Sequence, residues 1–239
     1  HLSAEDKETM LKEIPVNERD ARSKGVPALG SGKVYPIPEE DIVVRFLKIG
    51  SNWPRAYGLD FGWNRTAAIW GAKDPATGII YLYGEYYGSK QAPYVHAHAI
   101  QARGKYIPGI ADPRGDKSSE RDGTKLMDEY RALGLELTSG DNAIDAGIAR
   151  VLGLMEAGLL KVCYNLENWL AEYRVYRYDP KDPNKIARNQ EDHLMDATKY
   201  LISRFDQVAL SPDEYLEEQE QQNTPRNKPY SDRNIITGY

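Results

Sequence analysis

The chain has 239 residues, 41% of them hydrophobic, with 31 basic against 36 acidic side chains and a formal net charge of −5. That length suffices for one large domain or two small ones with a buried core, and no apolar stretch approaches the roughly 20 residues that span a bilayer. A uniformly cationic nucleic-acid coat is excluded, although a local basic rim can act despite net negative charge. The single cysteine, Cys163, excludes an internal disulfide and a cysteine zinc cluster, and within LLKVCY it reads as a small buried hydrophobe suited to a reducing cytoplasm.

The chain opens on His1 rather than Met, and HLSAEDKETM lacks a secretory pattern, so the sequence reads as a fragment or processed chain. Residues 1–50 are interrupted by Gly25, Gly30 and Gly32 and by Pro27, Pro36 and Pro38, which predicts an extended arm or linker partly packed on the core. IVVRFLKI, at 42–49, is a candidate short strand within it. From Trp53 the pattern sharpens. RAYGLDFG, TAAIWGAK and GIIYLYGEYY are rich in aromatic and β-branched residues, and DPATG between the last two suits an antiparallel hairpin. A helix over 91–103 follows, then strand KYIPGIAD, helix TKLMDEYRAL, strand LELT and helix AIDAGIARVLGLMEAG. The short apolar run LLKVCY precedes helix LENWLAEYRVY, a polar loop runs to Glu191, and a helix covers 191–204. The predicted fold is α/β: a mixed central sheet of three antiparallel strands plus parallel strands, flanked by helices, over 51–210. Residues 211–239, rich in Glu, Gln and Asn, read as a loosely held polar tail.

Aspartates stand at three separated points of this plan. Asp60 lies on the opposite side of its strand from Leu59 and Phe61. Asp112 ends IPGIA, and Pro113 holds it extended, although Asp-Pro-x-Gly also suits a simple turn. Asp192 and Asp196 are four apart and share a helix face beside His193. Asp192 also suits a first-turn acidic position with Asn189 as cap, and Asp196 has Lys199 and Tyr200 as structural partners within reach. Glu85 is a further possible site carboxylate, whereas His96 and His98 diverge on a helix and read as structural or solvated. If the Asp60 and Asp112 strands are neighbours, their carboxylates share the crevice at the strand ends, faced by the helix carboxylates. Such a set suits two Mg²⁺ or Mn²⁺ ions about 4 Å apart, one activating water and the other stabilising a leaving 3′ oxygen. Arg114, Lys117 and Arg121 flank this centre on one side in sequence, and Arg174, Arg177, Lys181, Lys185 and Arg188 on the other. They are candidate contacts to a phosphodiester backbone, giving weak sequence preference, and the whole points to a metal-dependent nuclease.

GLDFGW…ADPRG…EDHLMDATKY resembles the C-terminal nuclease domain of tailed-bacteriophage large terminase subunits, and ERDARSKGVPALGSGKVYPI is similar to the connector after the packaging ATPase in that family. The resemblance runs over about 17–205. It implies an RNase H-like fold and an endonuclease that cuts concatemeric double-stranded viral DNA during packaging. It implies metal-binding and catalytic roles for Asp60, Asp112 and Asp196, the last within an H-x-x-D pattern with His193, and leaves Asp192 as a second helix candidate. It further implies the portal protein and small terminase subunit as partners, no membrane, and a host bacterial cytoplasm location with transient residence at the procapsid portal vertex. No G-x-x-x-x-G-K-[ST] phosphate loop occurs, so the ATPase domain is expected to be absent from these residues.

Three alternatives remain open from the residues. A non-catalytic packaging or assembly module is favoured if the aspartates lie apart or are neutralised by Arg and Lys. An actin-like ATPase needs a second similar half and Gly-rich adenosine turns, and a resolvase-type nuclease needs more basic surface.

Overall fold

The computed structural model describes residues 32–45, 48–116 and 126–223. Lys117 and Arg121 lie outside the described residues. The elements in chain order begin with the single turn α1 (Glu39–Ile42) and β1 (Val43–Val44), then β2 (Arg55–Asp60), β3 (Thr66–Lys73) and β4 (Ile80–Gly88). After these come α2 (Pro93–Gln101), β5 (Gly109–Ala111), a 3₁₀ turn (Pro113–Asp116), α3 (Leu126–Ala132), β6 (Leu137–Ser139) and α4 (Ile144–Glu156). The rest is β7 (Leu160–Cys163), α5 (Glu167–Val175), the pair β8 (Tyr178–Asp179) and β9 (Asp182–Ile186), α6 (His193–Val208) and α7 (Pro212–Asn223).

Seven strands form one sheet in the order β1-β7-β4-β3-β2-β5-β6. The pairs β2/β3 and β3/β4 are antiparallel, and β2/β5, β5/β6, β4/β7 and β1/β7 are parallel. The β3–β4 turn closes through Asp74, whose carboxylate accepts from Ala76 N and Thr77 Oγ1, with Gly78 at φ +74°. On one face Leu59, Trp70, Ile100 and Met127 make an apolar cluster under α2 and α3. On the other, Ala67, Ile69, Leu82 and Val162 meet Trp169, Leu194, Leu201 and Phe205 of α5 and α6. Helices therefore cover both faces, as parallel strands require. Val34, Tyr35 and Ile42, from the segment before the sheet, are buried in this second core.

Three expectations are corrected. LLKVCY, expected only as a short apolar run, supplies β7, which joins β4 to β1. The stretch before Glu191, expected as a loop, folds its first part into the β8–β9 hairpin, where Asp179 and Asp182 accept from Lys181 N and Asn184 N. The loosely held tail begins instead with α7. Ser211 and Glu214 form a reciprocal capping box at its start, with Ser211 N on Glu214 Oε2 at 2.7 Å and Glu214 N on Ser211 Oγ at 3.2 Å. Among the described residues no helix is long and apolar enough to cross a membrane.

Candidate metal centre

The parallel register of β2 and β5 pairs Leu59 with Ala111, and Asp112 N donates to Leu59 O at 2.9 Å. Asp60 and Asp112 therefore leave adjacent strands side by side, and both are buried, 5% and 4% exposed. Asp112 also makes the turn its sequence suggested: its Oδ1 accepts from Arg114 N at 2.8 Å as the 3₁₀ turn begins. The turn reading of Asp112 is thus met, and the turn leaves its carboxylate beside Asp60.

Asp60 points to the same side of β2 as Gly58, two residues earlier. That side is crossed by α6 so closely that a Cβ on Gly58 would stand 1.9 Å from Ala197 O. The contact sets the helix over the strand end and brings His193, one turn before Ala197, onto Asp60, with Nδ1 2.8 Å from Oδ2. Asp196 lies beside Ala197 in the same turn and is close enough to raise the proton affinity of Asp60. Asp192 departs from its expected place on the helix face. It occupies the N-cap position at φ −142°, caps through no side-chain hydrogen bond, and offers its carbonyl to Asp196 N at 2.8 Å. Asn189, suggested as the cap, has φ +65° and precedes the helix.

Electrostatics mark the set as crowded with negative charge. Burial pushes the Asp60 carboxyl up, with Asp196 and Asp112 adding to it against the hydrogen bond from His193. Asp192 is pushed up to about 6, by burial first and Asp196 second. His193 is raised in turn, chiefly by its bond to Asp60. Basic side chains answer the three carboxylates. Arg114 grips Asp112, Lys199 Nζ lies 2.6 Å from Asp196 Oδ1, and His193 holds Asp60. Among the described residues no three His, Cys, Asp or Glu side chains are already gathered on one point. The donors nevertheless fit a hard divalent ion: Asp60, Asp112 and Asp196 present carboxylate oxygens in one electrostatically coupled group, at parallel strand ends.

The supporting shell was largely missed by reading the sequence. Glu172 of α5 is 3% exposed and accepts from Leu194 N and Met195 N at 2.7 and 3.2 Å, capping α6 across space. Its other oxygen accepts from Tyr87 Oη at 2.8 Å. Glu172 follows Trp169 by three positions and precedes Tyr173 by one, so an acid embedded in an apolar helix face was the available signal. Tyr87 Oη also reaches Glu191 at 3.0 Å, and Glu191 pairs with Arg65 at 3.4 Å and sits 3.7 Å from His193 Nε2. Asp141, likewise unremarked, lines a cleft of about 100 Å³ together with Arg114, Asn142, Asp196, Lys199 and Tyr200. Asp141 is held by Arg150 and Arg204, both at 3.3 Å.

Other candidates fall elsewhere. Glu85 is not brought to the carboxylates, because it accepts from Asn168 N and Trp169 N at the start of α5. His96 is buried against Tyr86 Oη at 2.7 Å, and His98 is exposed. Arg174 is bound to Glu39 at 2.6 Å. Lys181, Lys185 and Arg188 are exposed on and after the β8–β9 hairpin, Lys185 in a pair with Asp182 at 2.7 Å.

Comparison with known proteins places this arrangement. A family model described as the terminase RNaseH-like domain matches residues 57–205, which contain all five of Asp60, Asp112, Asp192, His193 and Asp196. The large terminase subunit of Salmonella phage P22 is 29% identical over 217 residues, covering 86% of this chain and 42% of that protein. The chain thus spans about two fifths of the length of the curated relatives it matches. The P22 large terminase nuclease domain superposes with a TM-score of 0.69 at 25% identity, covering 78% of this chain and 98% of that one. The nuclease domain of g2p, the large terminase of bacteriophage SPP1, solved with bound Mn, shares the fold at a TM-score of 0.53 and 18% identity, over 71% of this chain and 99% of its own. A family match from Tyr57 to Phe205 takes in the sheet from β2 onward, the strand-end aspartates and the helix that covers them: the chain belongs to the terminase RNaseH-like family.

Proposed function

We propose that this domain is an endonuclease that cuts double-stranded viral DNA during genome packaging, using two divalent ions, Mg²⁺ or Mn²⁺, with weak sequence preference. The observation that carries the reading is the placement of Asp60 and Asp112 on adjacent parallel strand ends beneath the helix bearing Asp196. Asp60, Asp112 and Asp196 would hold the ions, with Asp192 as a further ligand at the start of α6. Bound ions supply an activated water and positive charge for the leaving 3′ oxygen.

The chain's own groups do the rest. The Asp60 carboxylate fixes the His193 ring through Nδ1, leaving Nε2, on the Glu191 side, to carry a proton at the mouth of the site. Arg114, with its side chain 62% exposed at the cleft beside Asp196, is placed to meet a phosphate oxygen. Lys181, Lys185 and Arg188 add exposed positive charge on and after the β8–β9 hairpin, and backbone-directed contacts give little sequence preference. Because the relatives are more than twice as long as the stretch matched, the portal protein, small subunit and ATPase domain are partners proposed for the whole protein, acting in the host cytoplasm at the procapsid portal vertex.

A second reading, a non-catalytic packaging module, is favoured by one observation: Arg114, Lys199 and His193 together neutralise the carboxylates. Incubation of supercoiled plasmid with Mn²⁺ or Mg²⁺ separates the two. Nicking that is abolished by EDTA, and reduced by roughly 100-fold in Asp60→Asn, Asp112→Asn and Asp196→Asn, is expected of the nuclease. A folded protein that leaves plasmid intact with either metal would overturn the nuclease reading.

A further inference from the structure

Arg114 makes an unusually complete contact with Asp112. Its Nε lies 3.1 Å from Oδ1 and 2.8 Å from Oδ2, its Nη2 lies 2.8 Å from Oδ2, and its backbone N–H donates to Oδ1 at 2.8 Å. A carboxylate offers about four lone-pair sites, so this one residue engages nearly all of them. The same Nη2 is 4.0 Å from Asp60 Oδ1, so the guanidinium spans both strand-end aspartates. The aspartate side chains are 6% exposed while that of Arg114 is 62% exposed. The clamp is therefore applied from the solvent side of the two carboxylates.

A divalent ion binding Asp112 needs at least one of these oxygens at about 2.0–2.2 Å, where a guanidinium nitrogen and the ion repel each other and compete for the same lone pairs. Asp196 is paired with Lys199, and Asp60 with His193 as well as Arg114, but Lys199 is 7% exposed and packed within the α6 face, and His193 is held between Asp60 and Glu191. Of the three cations Arg114 has the most solvent around it and sits on a short 3₁₀ turn rather than a helix. It is the one built to leave.

Resting on the nuclease reading, we propose that Arg114 is a displaceable counter-ion: its guanidinium holds Asp112 and Asp60 until divalent ions claim those oxygens, and the freed guanidinium then binds a DNA phosphate. The residue positions the carboxylates in the first state and the substrate in the second. Clamp and ligand site are thereby coupled, because DNA phosphate offers the guanidinium a second bidentate partner and so favours its release.

The test measures binding rather than cutting. Titration of Mn²⁺ into the full chain by calorimetry, without DNA, is compared for the native protein, Arg114→Ala and Arg114→Lys, with Asp112→Asn identifying the heat that belongs to this site. Removal of the clamp is expected to tighten Mn²⁺ binding by roughly threefold to tenfold in Arg114→Ala, with Arg114→Lys between the two. DNA affinity in Ca²⁺ is expected to weaken in Arg114→Ala, with a salt slope shallower by about 1. A second readout follows the Arg114 Nε–H resonance, which is expected to shift when Mg²⁺ is added. Metal affinity that is unchanged or weaker in both folded variants, or a resonance unmoved at saturating Mg²⁺, overturns the proposal even if the native protein cuts DNA. Tighter Mn²⁺ binding in a protein that cuts nothing leaves the clamp standing and removes the nuclease reading alone.

Discussion

Glu172 places a carboxylate inside an apolar core and makes it earn its position by capping a helix from outside that helix. Burial pushes its pKa from 4.5 up to about 7, against the hydrogen bonds from Tyr87, Leu194 and Met195 that favour the ionised form. The native state therefore holds this proton more tightly than the unfolded chain does. The group's stabilising contribution is complete below about pH 4.5 and is lost as pH rises towards 7. Glu172→Gln keeps an oxygen for the two backbone N–H groups and cannot ionise. Between pH 4.5 and 7 the native protein is thus expected to lose on the order of 2 kcal/mol relative to Glu172→Gln, read as the difference between their urea-unfolding curves. Parallel stability profiles for the two proteins would show that Glu172 does not titrate in this range. The residue was legible only as an acid out of place on a helix face. What it caps is 22 positions away in sequence, and no local pattern carries that distance.

At the scale of elements, the site depends on how closely α6 lies on β2. Gly58 is the reason it can: an added Cβ would meet Ala197 O at 1.9 Å, Ala197 C at 2.8 Å and Leu201 Cβ at 2.9 Å, two of them backbone atoms that cannot rotate away. Gly58→Ala must push the helix off the strand, and a cost of about 2–4 kcal/mol is expected, seen as a drop in melting temperature of several degrees. The same displacement carries Asp196 away from Asp60 and Asp112, so divalent-ion affinity should fall with stability. Unchanged melting and metal binding would mean that the helix–strand spacing is looser than the contact indicates. The strands of this sheet were readable because β2, β3 and β4 are long, aromatic or β-branched, and joined by a turn whose Asp and Gly announce it. The parallel edge was less so, since β1 and β7 are two and four residues long and are defined by pairing across the chain. Two further elements were hidden by polarity. The β8–β9 hairpin reads as a loop because its strands bury little, and the one local signal of α7 is the capping box Ser211-Pro-Asp-Glu214 in a stretch whose composition is that of a tail.

Over the whole molecule, a net charge of −5 must be reconciled with the polyanionic substrate proposed for it. The positive groups nearest the carboxylates are partly spent on them, so further attraction to DNA calls on cations free of such duty. Lys181, Lys185 and Arg188 are the candidates: six residues separate Ile186 from His193, which keeps the hairpin's end within about 25 Å of His193. They do not contribute equally, because Lys185 already faces Asp182 at 2.7 Å, and breaking that exposed pair offsets part of what a phosphate contact would add. Replacing all three with Glu should therefore weaken DNA binding in Ca²⁺ and reduce the slope of log affinity against log salt by about 2 rather than the nearly 3 that three independent phosphate contacts would give. Lys185→Glu alone should change the slope least. The melting temperature should barely move, since none of the three is buried. A slope identical to that of the native protein would take the hairpin out of the DNA path and leave Arg114, among the described residues, as the exposed positive group at the carboxylates. A slope reduced by a full 3 would instead mean that DNA displaces Asp182 from Lys185 at no net cost, as a site with stronger local potential than the overall charge suggests would do.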